Sequence, residues 1–179
     1  MFKKLFYPVT LLLVLVTLVS CHKDDREELF VINHVVDFTI TPGLNTFDTH
    51  ITDIFPIESL LNARLDETGT APTEVNTIEP KRAILSSVFG DINLEFIDQV
   101  SILIYDPYHP SDRVEFAYKD RQQIPYTKKY SIELFPGIAD VKHWMELDYF
   151  GIEIRLNYRQ VTPSLTQMRL DFDFRALAP

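Results

Sequence analysis

Residues 168–176, MRLDFDFRA, alternate without a break: Met168, Leu170, Phe172, Phe174 and Ala176 fall on one side, and Arg169, Asp171, Asp173 and Arg175 on the other. An extended backbone sends successive side chains in opposite directions, so this pattern predicts a strand with one buried and one wet face. The stretch before it repeats the logic, with Phe150, Ile152, Ile154, Leu156 and Tyr158 inward and Glu153, Arg155, Asn157 and Arg159 outward. Only 160–164, QVTPS, separates the two, a length that suits a hairpin. Opposed Arg and Asp or Glu on neighbouring strands would then favour pairing by roughly a few tenths of a kcal/mol each. These charges have a structural reading that needs no ligand.

Further strands are expected at 35–40, 45–55, 83–88, 99–105, 113–118 and 129–134, divided by Pro-Gly, Asp-Pro and Gly-Asp turn signals. The stretch 99–105 is apolar on both sides, as in a central strand covered on both faces. Pro42-Gly43 and Pro136-Gly137 each follow an alternating run and suit the centre of a type II turn, a faint sign of a duplicated half-sandwich. Two segments break the pattern. Ile57, Leu60, Leu61 and Leu65 have helical spacing, and 140–147 suits a helical turn with Asp140 as its cap. Eight strands with one or two short helical segments predict an all-β fold, an antiparallel β-sandwich of immunoglobulin-like or jelly-roll type, with a closed lipocalin-type barrel as the alternative.

Composition agrees with one folded domain. The chain has 179 residues, 46% hydrophobic and 24% charged, with 13 Phe and 8 Tyr, which excludes a disordered tail. Its 26 acidic residues outnumber 17 basic ones, and the basic ones are dispersed, which disfavours nucleic acid, whose phosphates require clustered Lys and Arg. With one cysteine, no disulfide can form within the chain.

Residues 1–20 carry a basic start at Lys3 and Lys4, an apolar run and a terminal Ser20, the layout of a secretory signal; the run is too short for a spanning helix and ends directly in charged residues. Its loss would deepen the net charge from −9 to −11, because Lys3 and Lys4 are its only charges. At its end, Leu18-Val19-Ser20-Cys21 resembles the lipobox of bacterial lipoproteins. That resemblance implies lipidation of the Cys21 sulfur, cleavage before it and acylation of the new amino terminus. Each methylene buried in a membrane contributes about 0.8 kcal/mol, so several chains anchor firmly where one holds weakly. The following Lys23-Asp24-Asp25 is similar to the surface-export signal of Bacteroidota lipoproteins, and its plainer reading is a charged, solvated tether. The expected organisation is signal peptide 1–20, lipidated cysteine and tether 21–29, and a single sandwich domain 30–179.

No Gly-x-Ser-x-Gly elbow, phosphate-cradling Gly loop, paired cysteines or His-Glu-x-x-His zinc motif occurs, so no enzyme, cofactor or metal is indicated. Two carboxylates brought together from distant strands could still form a glycosidase site. Asp48, His50 and Asp53 come nearest to a ligand cluster, but strand geometry turns Asp53 away from the other two, and the plainer reading is a solvated face opposite Phe47, Thr49, Ile51 and Phe55. The stretch 106–112, DPYHPSD, gathers Asp106, Tyr108, His109 and Asp112 in a proline-stiffened loop suited to calcium or to partner contact. Trp144, the one tryptophan, could stack on a sugar or anchor a protein, or lie in the core beside Met145 and Leu147. Among the tyrosines, alternation turns several inward and leaves Tyr108 and Tyr126, each beside a proline, as candidates for exposure.

The candidate contact residues are therefore Tyr108, His109, Tyr126 and Trp144, with Cys21 for lipidation and Lys23, Asp24 and Asp25 for export. The expected function is that of an outer-membrane, surface-exposed lipoprotein acting as a non-catalytic binding module. A protein partner is preferred, as in an envelope complex or adhesin. A glycan-binding module of a carbohydrate-uptake system is the alternative, and a periplasmic face the alternative location.

Overall fold

The computed structural model describes residues 26–90, 92–124 and 130–179. Cys21, Lys23, Asp24, Asp25 and Tyr126 lie outside the described residues.

Eight strands carry the fold: β1 (Glu28–Ile40), β2 (His50–Glu58), β3 (Thr77–Ser87), β4 (Ile97–Asp106), β5 (His109–Lys119), β6 (Ser131–Pro136), β7 (Tyr149–Tyr158) and β8 (Thr166–Leu177). Two short helices, α1 (Leu61–Thr68) and α2 (Lys142–Met145), sit in the connections. The hydrogen-bonded order is β1-β8-β3-β6-β5-β4-β7-β2, antiparallel throughout. β5 and β6 share only the pairs Ala117 with Pro136 and Tyr118 with Phe135. The row of eight therefore divides into two four-stranded sheets, β1-β8-β3-β6 and β5-β4-β7-β2. Pairing is nested: β1 with β8, β2 with β7, β3 with β6, β4 with β5. A long hairpin rolled over itself gives this nesting, so the sandwich is a jelly roll rather than immunoglobulin-like.

The inner faces interdigitate. Phe172 and Phe174 of β8 meet Phe116 of β5 at ring-centroid distances of 5.3 and 5.2 Å, and His34 of β1 stacks on Phe172 at 5.1 Å and meets Phe150 of β7 edge-on at 5.3 Å. His34 is 5% exposed, and burial among these rings pushes its imidazole down to a pKa of about 4. The neutral ring is the form this core accepts.

Most charges on the outer face of the first sheet are paired, while Asp171 and Glu133 have no side-chain hydrogen bond or ion pair among the described residues. Arg169 forks onto Asp37 at 2.8 and 3.0 Å, Arg82 reaches Asp173 at 2.9 Å, and Glu79 receives Arg26 at 2.6 Å and Arg175 at 3.1 Å. Lys81 reaches Glu28 at 2.7 Å.

Several expectations change. β7 and β8 do not pair; they belong to different sheets, and 159–165 crosses the end of the sandwich, where Thr162 is tied to the β1–β2 loop by Gly43 N–H donating to its carbonyl (3.0 Å). The charges of β8 pair instead with β1 and β3. Gly43, with φ +81°, occupies the position of a type II turn that favours glycine, as expected. Pro136-Gly137 forms no such turn: Pro136 ends β6, and Gly137 N–H donates to Phe116 carbonyl at 2.7 Å. That removes the sign of duplication. β2 begins at His50, because the Asn45 side-chain oxygen caps Phe47 and Asp48 N–H, each at 2.9 Å, and holds 45–48 as a turn. It also runs on through Ile57, so the helix starts at Leu61. Asp140 caps Lys142 N–H at 3.0 Å, and the same oxygen accepts Ile78 N–H at 3.0 Å, tying α2 to β3.

Candidate functional site

The outer face of the second sheet differs from that of the first. Register sets its side chains in rows: Ile51 of β2 beside Arg155 of β7 and Ser101 of β4, Asp53 beside Glu153 and Leu103, and Gly151 of β7 beside Tyr105 of β4 and Arg113 of β5. Together they line a groove. Its two hollows, about 540 and about 430 Å³, meet at Ile51. The larger is bounded by Phe55, Tyr105, Pro107 and Pro110 around Asp53, Arg113 and Glu153; the smaller by Thr49, Gln99, Ser101, Glu115, Arg155 and Asn157.

Glu153 is 4% exposed, and each of its carboxylate oxygens accepts a guanidinium N–H, one from Arg113 and one from Arg155. Arg113 is further held by Pro110 carbonyl at 2.7 Å. Both arginines are about a third exposed, at 34% and 37%, so their remaining donors face the groove. Asp53, directly opposite Glu153, is exposed and has no hydrogen bond or ion pair among the described residues.

Tyr105 lies flat. A Cβ built on Gly151 would fall 2.2 Å from its Cζ and 2.6 Å from both Cε atoms, the distances of a point on the ring normal above Cζ. One ring face is therefore laid on the Gly151 backbone, which only glycine permits. No other aromatic ring and no cation among the described residues stacks on Tyr105, and the partly exposed ring lines the larger hollow. Partial burial, with the charges of Asp53 and Glu153, raises its phenol above the ordinary value. The ring remains a hydroxyl donor over the whole physiological range.

The residues singled out in the sequence do not converge here. Tyr108 is 83% exposed at the tip of the β4–β5 turn, which is two residues long rather than a seven-residue loop. Asp106 makes that turn: its carboxylate accepts His109 Nδ1–H at 2.7 Å and Tyr108 N–H at 2.8 Å, which hold it below the usual carboxylate range. Asp112 lies within β5 and faces His143 at 3.5 Å, so the two acids of 106–112 do not point to one ion. Trp144 is 9% exposed and joins the core, its indole N–H donating to Asp112 carbonyl at 3.2 Å. That leaves no open ring face for a sugar. His50 turns inward to meet the Tyr158 ring at 5.1 Å in a tilted arrangement, while Ile51 and Phe55 face out at 56% and 52% exposure. The expected faces of β2 are thus reversed, because pairing with β7 sets Ile51 beside Arg155 on the wet side. Among the described residues no three His, Cys, Asp or Glu side chains gather to hold a metal.

Tyr105 is the residue that alternation hid. The apolar run 99–105 hides its orientation, and the structure gives Ile102 and Ile104 the inner face of β4 and leaves Ser101, Leu103 and Tyr105 outside. The available signal was Gly151, a lone glycine inside a strand pattern, which marks a close approach.

No protein-family model matches the chain, and no curated protein does. Among solved structures, the chain is similar to Desmodium yellow mottle tymovirus, at 8% identity over 88% of this chain and 90% of that one, with a TM-score of 0.28. It is also similar to the Macrobrachium rosenbergii nodavirus P-domain, at 10% identity over 83% and 92% with a TM-score of 0.26. A third likeness is to turnip yellow mosaic virus, at 11% identity over 86% and 96% with a TM-score of 0.25. Likenesses this distant carry nothing about what the chain does.

Proposed function

We propose that this chain is a lipoprotein of the bacterial outer membrane, anchored through acylated Cys21, exported to the cell surface by Lys23-Asp24-Asp25, and acting there as a non-catalytic binding module. The observation that carries the binding part is the groove on the β5-β4-β7-β2 sheet, where a flat aromatic face, two half-exposed apolar side chains and an unpartnered Asp53 stand together. Surface apolar residues scattered singly need no explanation; set around an unsatisfied carboxylate in a concavity, they do.

Cleavage is the weaker reading. A glycosidase needs two carboxyl groups free to exchange protons or attack. Asp53 and Glu153 are neighbours, but both oxygens of Glu153 are engaged by guanidinium groups and its side chain is only 6% exposed. Of the other two acids, Asp53 lines the larger hollow and Glu115, which accepts the Ser101 hydroxyl, the smaller one, so the carboxylate beside Asp53 is the one already spent on arginines.

Protease shaving of intact cells tests the location. The wild-type chain is expected to be digested, and a Lys23→Ala/Asp24→Ala/Asp25→Ala variant protected, with Cys21→Ser released from the membrane fraction. Protection of the wild type would remove the surface claim and favour a periplasmic scaffold.

A further inference from the structure

We infer that the groove takes a neutral glycan chain, with Tyr105 as the platform under one sugar ring and Asp53 as acceptor for its hydroxyls. This rests on the binding-module reading and names its ligand.

Three features of the face favour a glycan over a protein segment. First, the platform has the right shape. Tyr105 is held flat from below by Gly151, so its open face is fixed before any ligand arrives, and a pyranose presents a flat C–H face to such a ring. Second, the polar groups are planar side chains of both kinds: the Asp53 carboxylate accepts, the free N–H groups of Arg113 and Arg155 donate, and the Gln99 and Asn157 amides do both. Vicinal hydroxyls, each donor and acceptor, meet such forks two at a time. The central strands β4 and β7 that floor this face spend their N–H and C=O groups on their neighbours, so an extended peptide would find free backbone partners along the outer edge of β2, at the rim, and not over the ring of Tyr105. Third, charge complementarity selects a neutral chain. Asp53, Glu115 and Glu153 against Arg113 and Arg155 leave one negative charge in excess, which repels a uronic-acid or sulfated polymer and gives a nucleic acid nothing to neutralise.

The amphipathic gradient gives the ligand a direction. The larger hollow, with Phe55, Tyr105 and the prolines, suits the stacked ring, and the smaller hollow, with amides, hydroxyl and guanidinium, suits the next sugars along the chain. Ile51 sits where they meet.

The test is affinity electrophoresis of the full mature chain, in detergent, through gels holding starch, xylan, mannan, galactan or β-glucan. A companion set of cells carries Pro107→Cys, at the rim of the larger hollow, with a photo-crosslinker. Retardation by at least one polysaccharide is expected. Tyr105→Ala should weaken it at least about tenfold, which corresponds to about 1.4 kcal/mol, whereas Tyr105→Phe should keep most of it. Asp53→Asn should weaken it by a smaller factor, and Arg82→Ala on the other sheet should leave it unchanged. Gly151→Ala, which keeps the tyrosine but lifts its ring, should behave like Tyr105→Ala while the chain still melts cooperatively. Retardation by none of the polysaccharides, or equal retardation of Tyr105→Ala and wild type, overturns the glycan assignment. If the crosslinker then captures a protein in a Tyr105-dependent way, the binding module stands with a protein ligand; if it captures nothing, both readings fall.

Discussion

On the outer face of the β1-β8-β3-β6 sheet, Asp37, Glu79 and Asp173 each hold an arginine from a neighbouring segment, and Glu28 holds Lys81. On the outer face of the β5-β4-β7-β2 sheet, the corresponding ladder contracts to one buried carboxylate shared by two arginines, with Asp53 left over and Ile51 and Phe55 half-exposed beside it. Both faces come from alternating strands of similar composition. Both faces leave acids over: Asp171 and Glu133 on the first and Asp53 on the second have no side-chain hydrogen bond or ion pair among the described residues. What separates them is what stands beside the leftover acid. On the second face Asp53 lines a hollow next to an aromatic ring laid flat on Gly151. The lesson is that a spare charge is informative where a concavity and an apolar surface stand beside it, more than by its charge.

The contrast breaks most visibly at Glu153. Arg113→Ala leaves a carboxylate with 6% side-chain exposure and one guanidinium instead of two. Stripping one partner from a buried ion pair costs about 3–5 kcal/mol. Arg155 remains, and Arg113 is itself a third exposed, so the expected loss is about 2 kcal/mol, read as a lower urea midpoint at unchanged slope. Arg82→Ala, the matching change on the first sheet, should lose less than about 1 kcal/mol, since Arg82 is half exposed. Equal losses would erase the difference between the faces.

His34 probes the core that the two faces share. Its folded pKa of about 4 lies below the ordinary imidazole value of 6.5, so between those values the unfolded chain binds a proton that the folded chain does not. Stability contributed by the neutral ring is therefore full above pH 6.5 and is lost as pH falls towards 4, by as much as about 3 kcal/mol. His34→Phe, which keeps a ring among Phe150, Phe172 and Phe174, should flatten the stability profile across that window. A variant with the wild-type slope would show that other groups carry the acid sensitivity.

Much of the fold was legible because alternation is local. Met168 to Ala176 and Phe150 to Tyr158 each declare an inner and an outer face without knowledge of any neighbour; the structure keeps both inner faces, while on β7 the outward Glu153 and the side chain of Arg159 are themselves buried. Partnership was not legible. The short link 160–164 looks like a hairpin, but a jelly roll pairs first with last, a choice made by the whole chain, so β8 finds β1 and β3 instead. The site was hidden for the same reason. Tyr105 stands on β4, Gly151 and Glu153 on β7, Asp53 on β2 and Arg113 on β5; no linear spacing joins them, and only register sets them in rows. His50 and Ile51 take the faces opposite to those their local pattern suggests, because β2 is an edge strand whose pattern is mixed, and its orientation is decided by β7.

The smallest expected effect sharpens the comparison from the finished side. Lys81 sits at the bulge where β3 shifts register against β8 between Pro80 and Arg82, and its ammonium reaches Glu28 at 2.7 Å, with side-chain exposures of 42% and 37%. Water competes for both charges, and two flexible side chains lose rotamer freedom to meet, so the pair falls in the class of exposed bridges that contribute about 0–1 kcal/mol. Lys81→Ala should shift the unfolding free energy by less than about 0.5 kcal/mol, and 0.5 M salt should reduce even that, because exposed charges are screened over a few ångströms at such ionic strength. A loss above about 1 kcal/mol would mean that the bridge pins the start of β1 to the bulge. The first face would then be held by its charges as firmly as the second is by Glu153, and matched charge could no longer be read as mere saturation.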